Sequence, residues 1–316
     1  MKLTTAAAIA IVAAGGLAAS AAAMPTGFSD WSHAKRVESQ PGTPASFNGD
    51  GLDGCPFVAR DDRTLYMASV RPGGLGGIDI WVAHRDSPGE PWGVPENVGA
   101  PVNSPDNDFC PTLDRDNHTL FFVSNRAGGC GGADIYVTRE RPDGWDDPRN
   151  LGCSVNSGAD EAGPFPLPEP GKGDVLYFSS VRPGGFAPEP PGAAVGDSDV
   201  YVSERDGGIY LAPKLVPGVN TAFEDGQPNL RRDAREIFFY SNRPGTLGMA
   251  DIYSATRAST SDPWSAPFNL GPEVNSANGA DTRPSLSWDG TTLYFGSTRP
   301  GGDGGADHYV TTRSLN

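Results

Sequence analysis

The chain has 316 residues with 24 Lys+Arg against 39 Asp+Glu, a formal charge of −15, and it is rich in Gly (42) and Pro (30). Negative charge spread along the whole chain argues against a nucleic-acid partner, because phosphates must be neutralised by lysine and arginine. A basic, cationic or neutral partner fits better. This length would ordinarily suggest two domains, and what argues against that is internal repetition.

Residues 1–23 hold a lysine, an Ala/Ile/Val/Leu-rich stretch and the ending Ala21-Ala-Ala23. This is the pattern of a signal peptide cleaved near Ala23, so a secreted or periplasmic protein is expected. The apolar stretch is too short and too rich in Ala and Gly to span a membrane, and no second one of spanning length follows. No cysteine occurs before Cys55, which speaks against a lipid anchor. The mature part, residues 24–316, reads as a single monomeric domain. Its first segment, Phe28 to Gly49, contains Trp31, Arg36-Val37 and Phe47-Asn48.

One unit then recurs five times. In its clearest copy, Asp108 to Ser157, Pro111-Thr-Leu leads through a polar turn to Leu120-Phe-Phe-Val-Ser. Asn125-Arg-Ala-Gly-Gly, Asp134-Ile-Tyr-Val and a tail with Trp145, Pro148, Asn150-Leu-Gly and Val155-Asn-Ser follow. Short β-branched and aromatic runs between Gly, Asp and Asn are strand signals, about four per unit. The opening prolines Pro56, Pro111, Pro164, Pro228 and Pro284 are spaced 55, 53, 64 and 56 apart. Such a period describes an all-β, five-bladed β-propeller of four-stranded antiparallel blades. The Gly and Pro residues fall at fixed places in it and mark turns. The last unit stops after its third strand, so the N-terminal segment, whose Trp, Arg-Val and Phe-Asn echo the other tails, is expected to close the last blade. A free sheet edge would otherwise remain.

The Pro-x-Leu opening, the Leu-Tyr-Phe strand, Ser-Asn-Arg-Pro-Gly, Gly-Gly-x-Asp-Ile-Tyr and the Trp…Pro…Asn-Leu-Gly…Val-Asn-Ser tail resemble the WD-repeat-like propeller repeat of the TolB type ("PD" repeat), over about residues 28 to 316. The resemblance implies a propeller, a cell-envelope or extracellular setting and protein association; it does not fix an activity.

Three residues before each opening proline stands an acid: Asp53, Asp108, Glu161, Asp225 and Asp281. With the first strand innermost, these five are expected to ring the mouth of the central channel on the face that also carries the hinges between second and third strands. There they would attract cations or a ligand, or accept bonds from backbone N–H groups or an arginine of the adjoining blade. Each second strand runs into Ser-x-Arg, with Arg71, Arg126, Arg182, Arg243 and Arg299. Each third strand begins with an aspartate: Asp79, Asp134, Asp199, Asp251 and Asp307. An Arg–Asp clamp within each blade is the expected pairing of these two sets. Trp92, Trp145 and Trp264 occupy matching outer positions and read as packing residues. The third unit replaces the short hinge by a Pro-rich insert from Phe186 to Ser198, the largest departure from symmetry and a candidate ligand contact at Phe186.

No nucleophile elbow, His-Glu-x-x-His or phosphate loop occurs. The preferred function is therefore a non-catalytic binding or scaffold module for a protein, peptide or glycan. The alternative is a glycoside hydrolase using Asp53, Asp108 and Glu161. No cofactor is expected. The oxygen-rich segment Asn48-Gly-Asp50-Gly-Leu-Asp53 leaves calcium as the alternative to plain turn chemistry. Four cysteines allow three pairings: Cys55–Cys110 with Cys130–Cys153 is preferred, and Cys110–Cys130 is the main rival pair.

Overall fold

The structure, a computed structural model, describes residues 27–186 and 197–316. Residues 1–26, where a signal peptide is expected, and most of the blade-three insert lie outside the described residues. Five antiparallel sheets follow one another around an axis. The innermost strands are Asp53–Val58, Asp108–Leu113, Glu161–Glu169, Asp225–Leu230 and Asp281–Leu286. Each continues as a meander into a second strand, such as Thr119–Ser124, and a third, such as Asp134–Arg141. The chain is thus a five-bladed propeller of four-stranded blades.

Fourth strands are only two residues long: Glu96–Asn97, Arg149–Asn150, Lys214–Leu215 and Phe268–Asn269. Pro95, Pro148, Pro213 and Pro267 directly precede them. Proline has no N–H to give to a ladder, so pairing at these outer edges cannot extend backwards. In blade five the fourth strand is Lys35–Arg36, which pairs with Tyr309 and Val310 of Asp307–Thr312. The N-terminal segment closes the ring as its sequence suggested.

Second strands are buried on both faces, which explains their nearly continuous apolar runs. Six apolar clusters join neighbouring blades: Phe238 of blade four packs with Leu293, Phe295 and the N-terminal Trp31, and Leu65 and Met67 of blade one pack with Tyr294 and Phe47. No blade owns a core, so stability depends on completing the circle. Burying each large side chain contributes about 1.5–3 kcal/mol.

Both disulfides take the preferred pairing. Cys55–Cys110 joins the innermost strands of blades one and two, and Cys130–Cys153 ties the blade-two hinge to the linker that follows that blade.

Removing residues 27–48 strips Trp31, Phe47 and the closing strand from blade five. The truncated chain should melt well below a chain of residues 24–316; equal melting temperatures in circular dichroism would show that the closing strand contributes nothing.

Candidate functional site

The five acids at the starts of the innermost strands do not line an open mouth. Strand pairing sets each opposite the serine of its Ser-x-Arg, as in Asp53↔Ser69 and Asp108↔Ser124. The arginine two residues on therefore folds back over the acid. Arg71 meets Asp53 at 2.8 Å, Arg126 meets Asp108 at 2.6 Å, Arg182 meets Glu161 at 3.0 Å and Arg299 meets Asp281 at 2.7 Å; Arg243 and Asp225 pair likewise. The same guanidinium donates to the carbonyl of the linker entering the blade: Phe47, Val102, Val155, Val219 or Val274. Its Nε donates to the serine, and its face lies over the blade's aromatic residues, such as Phe122 and Tyr136.

The second carboxylate oxygen is taken by linker N–H and hydroxyl groups. Ser104 N and Oγ serve Asp108, Thr221 N and Oγ1 serve Asp225, and Gly49 N and Ser276 N serve Asp53 and Asp281. Glu161 is satisfied by Ser157 and Ser180. All five acids are 0% exposed. Of the two readings open from sequence, the accessible ring of charge gives way to acids bonded to backbone N–H groups and an arginine, with the correction that the arginine comes from the acid's own blade and not the adjoining one. The glycosidase candidates Asp53, Asp108 and Glu161 are among these closed clamps.

The expected pairing of these arginines with Asp79, Asp134, Asp199, Asp251 and Asp307 is also corrected. Serine sits between two acids in one row, Asp53–Ser69–Asp79 in blade one, and the arginine falls on the first-strand side. The third-strand aspartates instead accept hinge N–H groups. Asp79 takes Leu75 and Gly76, Asp251 takes Leu247 and Gly248, Asp134 takes Cys130, Asp307 takes Asp303 and Asp199 takes Phe186. Asn97, Asn150 and Asn269 of the outer strands add a donor each. Blade three lacks that asparagine, and burial pushes the Asp199 carboxyl up to about 6.

Asymmetry enters one step further along. Two residues after each clamped acid the strand bulges, and the residue there has positive φ in every blade: Cys55 (47°), Cys110 (49°), Gly163 (55°), Gln227 (52°) and Arg283 (59°). A left-handed conformation is rare outside glycine, yet all five residues share it while comprising two cysteines, a glycine, a glutamine and an arginine. They form the neck of the channel, with a cavity of about 30 Å³ among them. Cys55 and Cys110 bridge one side. Arg283 leans into the space a Gly54 Cβ would need, and Gln227 does the same over Gly163. Beside them, Tyr240 covers Gly226. Gln227, Tyr240 and Arg283 belong to no recurring motif, and the sequence signal they carry is that each differs from its counterparts when the units are aligned on the clamped acid.

His308 occupies the place that Ile80, Ile135 and Ile252 fill in other blades. It is fully buried, and its Nδ1 and backbone N–H both lie near 3 Å from Asn48 Oδ1. Burial pushes the imidazole down to about 4 despite nearby Asp53. The Asp53 carboxyl, although burial raises it, is held below its ordinary value by His308, Ser69 and Arg71. Asn48 and Asp53, drawn on above as calcium ligands, are engaged in these bonds and those to Glu38, Gly49 and Arg71.

No protein-family model matches the chain, and no curated protein matches it significantly. Among solved structures it is similar to a thermostable family-43 glycoside hydrolase (TM-score 0.54, 15% identity, 84% of this chain and 90% of that one). It is also similar to an α-L-arabinofuranosidase from Podospora anserina (TM-score 0.55, 10% identity, 92% and 98%). A more distant likeness is TolB from Acinetobacter baumannii (TM-score 0.44, 16% identity, 84% and 51%). At these identities the likeness concerns the fold alone.

The buried histidine gives a testable acid sensitivity. Unfolding releases His308 to its ordinary value of 6.5, so the unfolded chain binds a proton that the folded chain refuses between about pH 6.5 and about pH 4, and stability falls as pH falls through that window. Between about pH 7.5 and about pH 5 this term costs about 2 kcal/mol. His308→Ile should lose less stability than the parent over that interval in paired denaturant titrations; equal losses would contradict the assignment.

Proposed function

We propose that the chain is a non-catalytic binding or scaffold module of the cell exterior that recognises a protein or peptide on its hinge face. One observation carries this reading. Of the ten exposed large apolar side chains among the described residues, six stand in hinges or inter-blade linkers of that face: Val70, Leu75, Phe186, Phe223, Leu247 and Met249. Exposed apolar groups gathered on one face are a mark of association surfaces. Four of the six are aliphatic, which suits protein or peptide better than a glycan, for which flat aromatic platforms would be wanted. The third class named from sequence, a glycan ligand, is accordingly the least favoured. Two disulfides fit an oxidising, secreted or periplasmic compartment.

The glycoside hydrolase alternative has the fold likeness behind it. Against it, its candidate acids are each bound to an arginine and closed to solvent, whereas an acid and a base or nucleophile must both reach the sugar.

Peptides selected from a random displayed library against the mature chain test the reading, with hydrolysis assays on arabinan and xylan alongside. A triple variant Phe186→Ser, Phe223→Ser, Met249→Ser should weaken the selected peptides at least about tenfold, the 1.4 kcal/mol step. Substitutions on the opposite face should leave them unchanged. Retained affinity in the triple variant would overturn the hinge face as the site. Polysaccharide hydrolysis abolished by Glu161→Gln in a folded protein would install the enzyme instead.

A further inference from the structure

Arg283 is the one neck residue whose charge the fold leaves unanswered. Among the described residues its guanidinium has no carboxylate partner and makes no side-chain hydrogen bond, while it borders the neck cavity. The arginine clamps show what this chain does elsewhere with a guanidinium held inside the ring: it supplies a carboxylate, a carbonyl and a hydroxyl. A partly buried charge without such partners is costly. A second polar group in the same cavity is also unspent. Gln227 Oε1 is buried without a hydrogen-bond partner, and its Nε2 reaches only the Cys110 sulfur at 3.6 Å, a weak acceptor. Turning the amide presents N–H groups to the same space.

We propose that the channel neck binds one small carboxylate, gripped by the Arg283 fork with the Gln227 amide beside it. Guanidinium and carboxylate match in planar, two-pronged geometry. The cavity of about 30 Å³ takes a pair of oxygens in place of waters, since one water needs about 10–15 Å³ on this measure, and is too small for a sugar ring. Beyond the neck, Phe57 and Phe165 are shared walls between this cavity and a second one of about 40 Å³ at the far mouth. Leu230, Leu286 and Pro166 complete an apolar sleeve there, suited to a short unbranched hydrocarbon tail. The rim of the far mouth is cationic. Arg60 stacks on Trp288 at 4.9 Å, and Arg115 and Arg232 border the opening. The carboxylate in that wall, Asp114, accepts the backbone N–H of Arg115. On a chain of net charge −15, three arginines around one opening would draw an anion to it. The ligand class is thus a short-chain monocarboxylate that enters opposite the hinge face, and the site is independent of the partner surface proposed above.

Titration calorimetry of the mature chain with sodium butyrate, chloride and phosphate at matched ionic strength tests this. Butyrate should bind saturably at one per chain and more tightly than either inorganic anion. Arg283→Gln should weaken it at least about tenfold, and Arg283→Lys, which keeps the charge and loses the fork, should fall between. Because the guanidinium is unsatisfied without ligand, Arg283→Met should fold and melt no lower than the parent in butyrate-free buffer. Added butyrate should then raise the melting temperature of the parent alone. The proposal fails if butyrate does not saturate, if chloride or phosphate binds as tightly, if Arg283→Gln binds butyrate like the parent, or if Arg283→Met does not fold.

Discussion

Five buried arginine–carboxylate clamps hold this molecule in register. Each fastens three chain segments at once: the start of the innermost strand, the end of the second, and the linker arriving from the preceding blade. The apolar clusters supply non-directional attraction between blades. The clamps supply direction, because a guanidinium offers its donors in a fixed plane and every partner around it is a short linker or strand end. Replacing one member would leave the other charged and buried, a loss of about 3–5 kcal/mol.

This division of labour separates the repeated from the singular. Acids, serines, arginines and third-strand aspartates recur because each blade needs the same fastening, and the fastening consumes them. Apart from the blade-three hinge insert, the blades differ around the channel, where Cys, Cys, Gly, Gln and Arg occupy one backbone position, and where Tyr240 and His308 replace smaller or aliphatic side chains. Specific recognition has to come from such departures. Among the described residues, such recognition is proposed at the neck and at the apolar side chains of the hinge face.

The blade count, the closing N-terminal segment and the disulfide pairing were legible in the sequence. Spaced prolines, the Trp31 and Phe47-Asn48 echo, and cysteines next to the opening prolines each express a local geometric need. The arginine partner was not legible. A linear pattern shows an arginine and two acids per unit, Asp53 and Asp79 in blade one, and only the cross-strand row with Ser69 between them reveals which side the guanidinium takes. The acids looked accessible because they begin the innermost strands. The bulge after each acid and the covering arginine bury them, and neither is visible in side-chain alternation.

A double-mutant cycle on Asp108 and Arg126 bears most directly on the claim that these carboxylates exist to hold blades together. Asp108→Leu and Arg126→Leu alone should each destabilise the protein strongly by denaturant unfolding. The double variant should cost much less than their sum, since it strands no buried charge. Additive losses, or single variants that unfold like the parent, would contradict a structural clamp and return Asp108 to the set of groups free for chemistry.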